Sequence, residues 1–120
     1  MTVRVLLVDD QPAFREAAAM VIDMTDGFEV AGEAENGEQA VELASTLEVH
    51  LVLMDIQMPG IDGIEATRRI RRLPSPPHVL VLSTRESEDF DEPARAAGAL
   101  GFLPKSSFGL DTLAELWPPE

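Results

Sequence analysis

Five short apolar runs punctuate the chain, with amphipathic stretches between them. Val3–Val8 (VRVLLV) runs into Asp9 and Asp10, and Leu51–Met54 stops at Asp55 before a Pro-Gly loop. His78–Leu82 (HVLVL) and a short Leu100–Leu103 follow the same design. Unbroken apolar runs of this length suit strands covered on both faces. Phe28–Glu35 (FEVAGEAE) mixes apolar and acidic residues instead, as an edge strand would. Between the runs the period changes from 2 to about 3.6. Phe14, Ala17, Ala18, Val21 and Met24 recur at helical spacing after Pro12, which suits a first helical turn, and Gly27 is a stop signal. Asn36 with Gln39 forms a capping-box-like start for a second helix, whose buried face is Ala40, Ala44 and Leu47. Asp62 caps a third, with Ile64, Thr67 and Ile70 inward, and Leu110, Leu113, Ala114 and Trp117 mark a last one before Pro118. Pro93 falls within the remaining helical segment, where an interior proline costs ~3 kcal/mol. The expectation there is a short helix starting near Asp91, with a mobile lead-in over 85–92.

Alternating strands and helices predict a parallel sheet with right-handed crossovers and helices on both faces. Pro104 ends the fifth strand, and proline is tolerated where a ladder hydrogen bond can be spared. Edges at strands two and five give the order 2-1-3-4-5, an α/β doubly wound, flavodoxin-like fold with five helices. Its ligand crevice lies at the carboxyl ends of strands one and three.

At 120 residues the chain makes one domain. Its net charge of −13 disfavours nucleic acid and anionic membranes, and favours cations or a basic partner face. No apolar run approaches the ~20 residues of a membrane span. No signal-peptide pattern opens the chain, and without cysteine there is no thiolate metal site, so a cytoplasmic protein is expected. The RRIRR run (68–72) reads as a solvated helix face paired with Glu65 rather than a nucleic-acid patch. His50 and His78 open strands at the end away from the crevice, which makes them bystanders. Lys105 is the sole lysine.

The topology sends Asp9, Asp10 and Asp55 to one crevice. Like charges that close need a cation, and an all-oxygen, open site suits Mg²⁺, with Mn²⁺ an alternative. Ser83-Thr84 and Lys105 end neighbouring strands, so hydroxyls and an ammonium reach the same rim. Such a set is a receptor for a phosphoryl group.

Four pieces, in order and at family spacing, carry a resemblance: LLVDDQPAFR (6–15), LMDIQMPGIDG (53–63), VLVLST (79–84) and GALGFLPK (98–105). Together they make the chain similar to the response-regulator receiver domain of two-component phosphorelays, over essentially all 120 residues. The nearest likeness, through GFLPKSS, is to receivers that precede a helix-turn-helix DNA-binding domain, and no output domain is expected within 1–120. The resemblance implies that Asp55 is the phosphoacceptor, attacking a phosphohistidine of a sensor histidine kinase. It implies that Asp10, Asp55 and the Gln57 backbone carbonyl bind the metal directly, with Asp9 acting through water. Lys105 and Ser83 would contact phosphoryl oxygens, and Ser83 with Phe102 would form the switch. Gln57 and Arg85 would modulate phosphate lifetime, with Arg85 shielding the acyl phosphate. The implied product is a phosphorylation-controlled switch, not a turnover enzyme, whose helix 4–strand 5–helix 5 surface serves a phosphorylation-dependent homodimer or a transcriptional output. The alternatives are a stand-alone receiver and a phosphorylation-independent interaction module. Direct binding of nucleic acid or membrane by this chain is not expected.

Overall fold

The computed structural model describes residues 2–84 and 90–119. Five parallel strands form one sheet in the order β2-β1-β3-β4-β5: β1 Val3–Val8, β2 Phe28–Ala34, β3 Leu51–Asp55, β4 His78–Ser83 and β5 Gly101–Pro104. The helices are α1 Pro12–Asp23, α2 Gly37–Thr46, α3 Gly63–Ile70, α4 Asp91–Ala96 and α5 Thr112–Leu116. The doubly wound order expected from the pattern is therefore the one observed.

Strand alternation divides the core in two. Leu6, Val8, Val52, Met54, Val79 and Val81 face one way, onto Ala40 and Ala44 of α2, Ala66 and Ile70 of α3 and Ala94 of α4. Val5, Leu7, Leu51, Leu53, Leu80 and Leu82 face the other way, onto Ala18 and Ile22 of α1 and Leu113 of α5. All five residues of β3 are buried, as its central place demands, whereas β2 is mostly half-buried. A register shift in the β1–β2 ladder after Val5 leaves Ala31 as an extra residue in β2. At β5 the proline occupies the last position, opposite Ser83.

Helix starts follow their caps. Asn36 accepts from the Gln39 N–H at 2.8 Å, and Asp62 accepts from the Glu65 N–H at 2.8 Å. Glu65 pairs with Arg68 and Arg69, so the basic run is a solvated face. Arg71 departs from that face: its guanidinium donates to the Pro77 carbonyl at 2.9 Å and holds the 73–77 connector. The fourth helix starts at Asp91 with Pro93 as its third residue, so the proline takes nothing from the hydrogen-bond ladder. Of its 85–92 lead-in, 85–89 lie outside the described residues.

Four side-chain assignments need correction. Ala17 and Met24 point to solvent, and the buried residues of α1 are Ala18 and Ile22. Alanines on either side of a stripe carry little directional signal, which explains the shift. The last helix is a single five-residue turn, too short for the proposed face: Leu113 is buried, Trp117 half-buried, Ala114 exposed and Leu110 precedes the helix, 55 % exposed. Boundaries of β2, β3, β4 and β5 move by one residue from the expected ones.

Candidate functional site

The carboxyl ends of β1 and β3 lie side by side, Val8 opposite Met54, so the residues after them meet. Asp9, Asp10 and Asp55 each bring a carboxylate oxygen within 4.8 Å of the others. Asp9 and Asp55 are buried and Asp10 is exposed. Lys105, in the 3₁₀ turn Lys105–Ser107 after β5, reaches back over the sheet. Its Nζ lies 2.5 Å from Asp9 and 3.6 Å from Asp55, with its side chain only 8 % exposed.

Local structure fixes these positions. The Asp9 Oδ1 accepts from the Gln11 N–H at 2.8 Å, and Arg15 donates to the Asp9 carbonyl while pairing with Glu33. β3 is stopped by α3: the Gly63 N–H donates to the Ile56 carbonyl at 3.0 Å. A Cβ on Gly63 would lie 2.2 Å from the Asp55 carbonyl oxygen, closer than any side chain tolerates, so only glycine lets the helix start against the strand end.

Burial pushes the Asp55 carboxyl up to about 6, with Asp9 and Asp10 adding to the rise. Lys105 and a hydrogen bond from the Gln57 N–H oppose it. Two buried carboxylates share one ammonium, so the site holds more negative charge than its own cation neutralises. The Asp9 Oδ2 meets Lys105 as an ion pair but accepts no hydrogen bond from the described residues. An all-oxygen donor set with an unsatisfied buried lone pair fits a hard divalent cation such as Mg²⁺. Among the described residues this is the one cluster of potential ligands, and neither histidine belongs to it. His50 instead accepts from the Arg4 N–H at 2.9 Å, and His78 packs edge-on against Trp117.

Of the other residues singled out from sequence, Ser83 is buried at the end of β4, one residue past Leu82, which lies opposite Asp55. Gln57 has an exposed side chain, and its contact with Asp55 runs through its N–H. Phe102 is half-buried, 5.7 Å from the Phe90 ring, and its N–H donates to Asp91 at 3.1 Å. Arg85 lies outside the described residues. Pattern reading missed three neighbours of the site. Gln11 accepts from Lys105 at 3.3 Å, the Phe14 ring lies 4.6 Å from Nζ, and Arg15 pins the end of β1. A helical aromatic at core spacing signals burial only, so nothing in the pattern marked Phe14.

Residues 5–116 match the family described as response regulator receiver domain. The chain belongs to that family. As a receiver domain it is 42% identical over 105 residues to the transcriptional regulatory protein LiaR of Bacillus subtilis, covering 88% of this chain and 50% of LiaR. It is 44% identical over 106 residues to protein-glutamate methylesterase/protein-glutamine glutaminase 2 of Photobacterium profundum, covering 88% of this chain but 27% of that protein. The signal receiver domain of the putative response regulator NarL from Mycobacterium tuberculosis superposes with a TM-score of 0.84 at 31% identity, over 95% of this chain and 94% of that one. The receiver thus spans about half the length, or less, of these curated relatives. Its likeness to a methylesterase concerns the shared receiver, not the esterase part, and the family's members are phosphorylation switches. Among the described residues, no helix is long and apolar enough to cross a membrane.

Proposed function

We propose that this receiver takes a phosphoryl group onto Asp55 from a phosphohistidine of a sensor histidine kinase. The observation that carries the reading is the convergence at one strand end: a buried carboxylate, two further acids within 4.8 Å and an ammonium 3.6 Å away. In the transfer an Asp55 carboxylate oxygen forms a P–O bond as the P–N bond breaks, and the electron pair stays on the imidazole nitrogen. Asp10, Asp55 and the Gln57 carbonyl hold Mg²⁺, or Mn²⁺ in its place, and Asp9 acts through a water. When bound, the cation supplies charge stabilisation for the transferring oxygens. Lys105 and the Ser83 hydroxyl hold phosphoryl oxygens, and Gln57 and Arg85 at the mouth of the site set how long the acyl phosphate lasts.

The acyl phosphate adds about −1.5 to −2 charges to an acidic site. Ser83 drawn toward it, and Phe102 repacking behind Ser83, pass the change to the α4-β5-α5 surface. That surface serves a phosphorylation-dependent homodimer in the cytoplasm and controls a DNA-binding output outside these residues. Likeness to transcriptional regulators supports this choice of output. An inert interaction module is the weaker reading, because all three acids and the lysine are in place.

The test adds Mg²⁺ with a small phosphodonor, or with beryllofluoride, to the wild type and to Asp55→Asn. One phosphoryl group per chain, lost in the variant, is expected. Continuous release of phosphate points to a phosphatase, and no Mg²⁺-dependent change points to the inert module.

A further inference from the structure

Lys105 must keep its place while its partners change. Its nearest contact is Asp9 at 2.5 Å, yet Asp9 also belongs to the acidic cluster. Once Asp9 turns toward a cation, its hold on the ammonium weakens, at the moment the ammonium is needed over Asp55. Gln11 is an exposed, uncharged partner at 3.3 Å. Beside Asp55 itself at 3.6 Å, one further contact does not exchange: the face of Phe14, 4.6 Å from Nζ. An aromatic face attracts a cation most where water is excluded, and the Lys105 side chain is 8 % exposed. Phe14 itself packs against Phe108, whose ring lies 6.3 Å away in a tilted arrangement.

We propose that Phe14 is a positioning residue for the phosphoryl transfer: its π face, braced by Phe108, holds the Lys105 ammonium over Asp55 when Asp9 is engaged elsewhere. The proposal rests on the phosphoacceptor reading above. Core packing alone requires only an apolar side chain of this volume. Positioning requires the aromatic face, and that difference can be measured. Replacement of the face should slow the transfer without weakening the cation site, because a looser Lys105 competes less for Asp9.

The experiment compares the wild type with Phe14→Leu, Phe14→Tyr and Phe108→Leu. Phosphoryl uptake from a small phosphodonor should fall about 5- to 20-fold in Phe14→Leu. Mg²⁺ affinity, by calorimetric titration, should be unchanged or slightly tighter. Phe14→Tyr should restore the rate, and Phe108→Leu should be intermediate. Because Lys105 is the only lysine, its acylation by a limiting amine-reactive ester, read by mass spectrometry, reports its exposure with no phosphoryl chemistry. Acylation should quicken in Phe14→Leu and not in Phe14→Tyr. Wild-type rates in Phe14→Leu, or equal losses in the Leu and Tyr variants, overturn the proposal while leaving the phosphoacceptor reading intact. Absence of Asp55-dependent uptake in the wild type overturns both. If Phe14→Leu does not fold, Phe108→Leu decides, and unchanged uptake and acylation there overturn the brace.

Discussion

At the carboxyl end of the sheet, three acids and the only lysine crowd together; at the amino end, a cavity of about 650 Å³ opens between Leu47, Val49, His50, Leu73, His78 and Trp117. Volume alone would point to the second. Its two histidines serve the fold, however: His50 extends the β1–β3 ladder by accepting from Arg4, and the His78 ring lies edge-on to Trp117 at 5.7 Å. Burial holds the His78 pKa below its usual range, with Arg71 adding to the effect. Burial perturbs Asp55 as it does His78, but at the carboxyl end two acidic neighbours add to the rise, and the Asp9 Oδ2 accepts no hydrogen bond from the described residues. Groups held at a free-energy disadvantage are the better guide to chemistry than empty space.

The largest effect that could break this contrast is on phosphoryl uptake. Asp55→Asn should abolish it, and Lys105→Ala should lower it by roughly 100-fold, in line with the loss of one electrostatic clamp. His78→Gln should stay within about twofold, since histidines at the amino end touch neither the acids nor the ammonium. Radiolabelled uptake from a small phosphodonor in Mg²⁺ measures all three. Comparable losses in the histidine variant would move function to the other end of the molecule.

Stability should respond in the opposite sense. Trp117 is half-buried, packs on one face of the core and lies against His78. Trp117→Ala should lower unfolding free energy by about 1.5–3 kcal/mol, less than a fully buried aromatic because part of the ring is exposed. Urea unfolding measures it, and uptake per folded molecule should not change.

This division was partly visible in the residue pattern. Strands were legible because Leu51–Met54 and His78–Leu82 are continuously apolar, and the acids stood out because each ends such a run. Topology then did the rest: a central β3 beside β1 places Asp55 by Asp9. Helix faces were less legible where alanine dominates, as in α1, because alanine is equally at home inside and out. The place of Lys105 beside the acids was legible, but the ring beneath it was not. A helical Phe14 reads as core, and only the backward reach of the turn after β5 brings an ammonium onto its ring.

A smaller effect concerns the disadvantage at the carboxyl end itself. Without metal, Asp55→Asn should raise stability by about 1–2 kcal/mol at pH 7.5, part of what a two-unit shift is worth. The sign follows from a folded-state pKa near 6 against an ordinary value of 3.8. Below about pH 4 folded and unfolded chains both carry the proton, and the two proteins should be alike. Between about 4 and 6 the folded wild type keeps a proton that the unfolded chain has released, so its stability falls relative to the variant as pH rises. Above about 6 the gap is constant. Urea melts at four pH values would show it, and a gap that widened toward acid would contradict the origin given for the shift.

The same proton competes with the cation, which gives the finest test. Metal ligands must be deprotonated, so Mg²⁺ affinity should fall as pH drops through the region near 6. Going from pH 7 to pH 5 the loss should be about tenfold, the value for one competing proton with that pKa. The charges of Asp9 and Asp10 add to the rise at Asp55, so the competing proton there feels both neighbours. Titrations on the wild type and on His78→Gln separate the two ends of the sheet, since burial and Arg71 hold the His78 imidazole below its usual range. If the histidine variant lost the pH dependence, a group at the amino end would be controlling the cation. If it kept the dependence unchanged, the competing proton would belong to the acids at the carboxyl end.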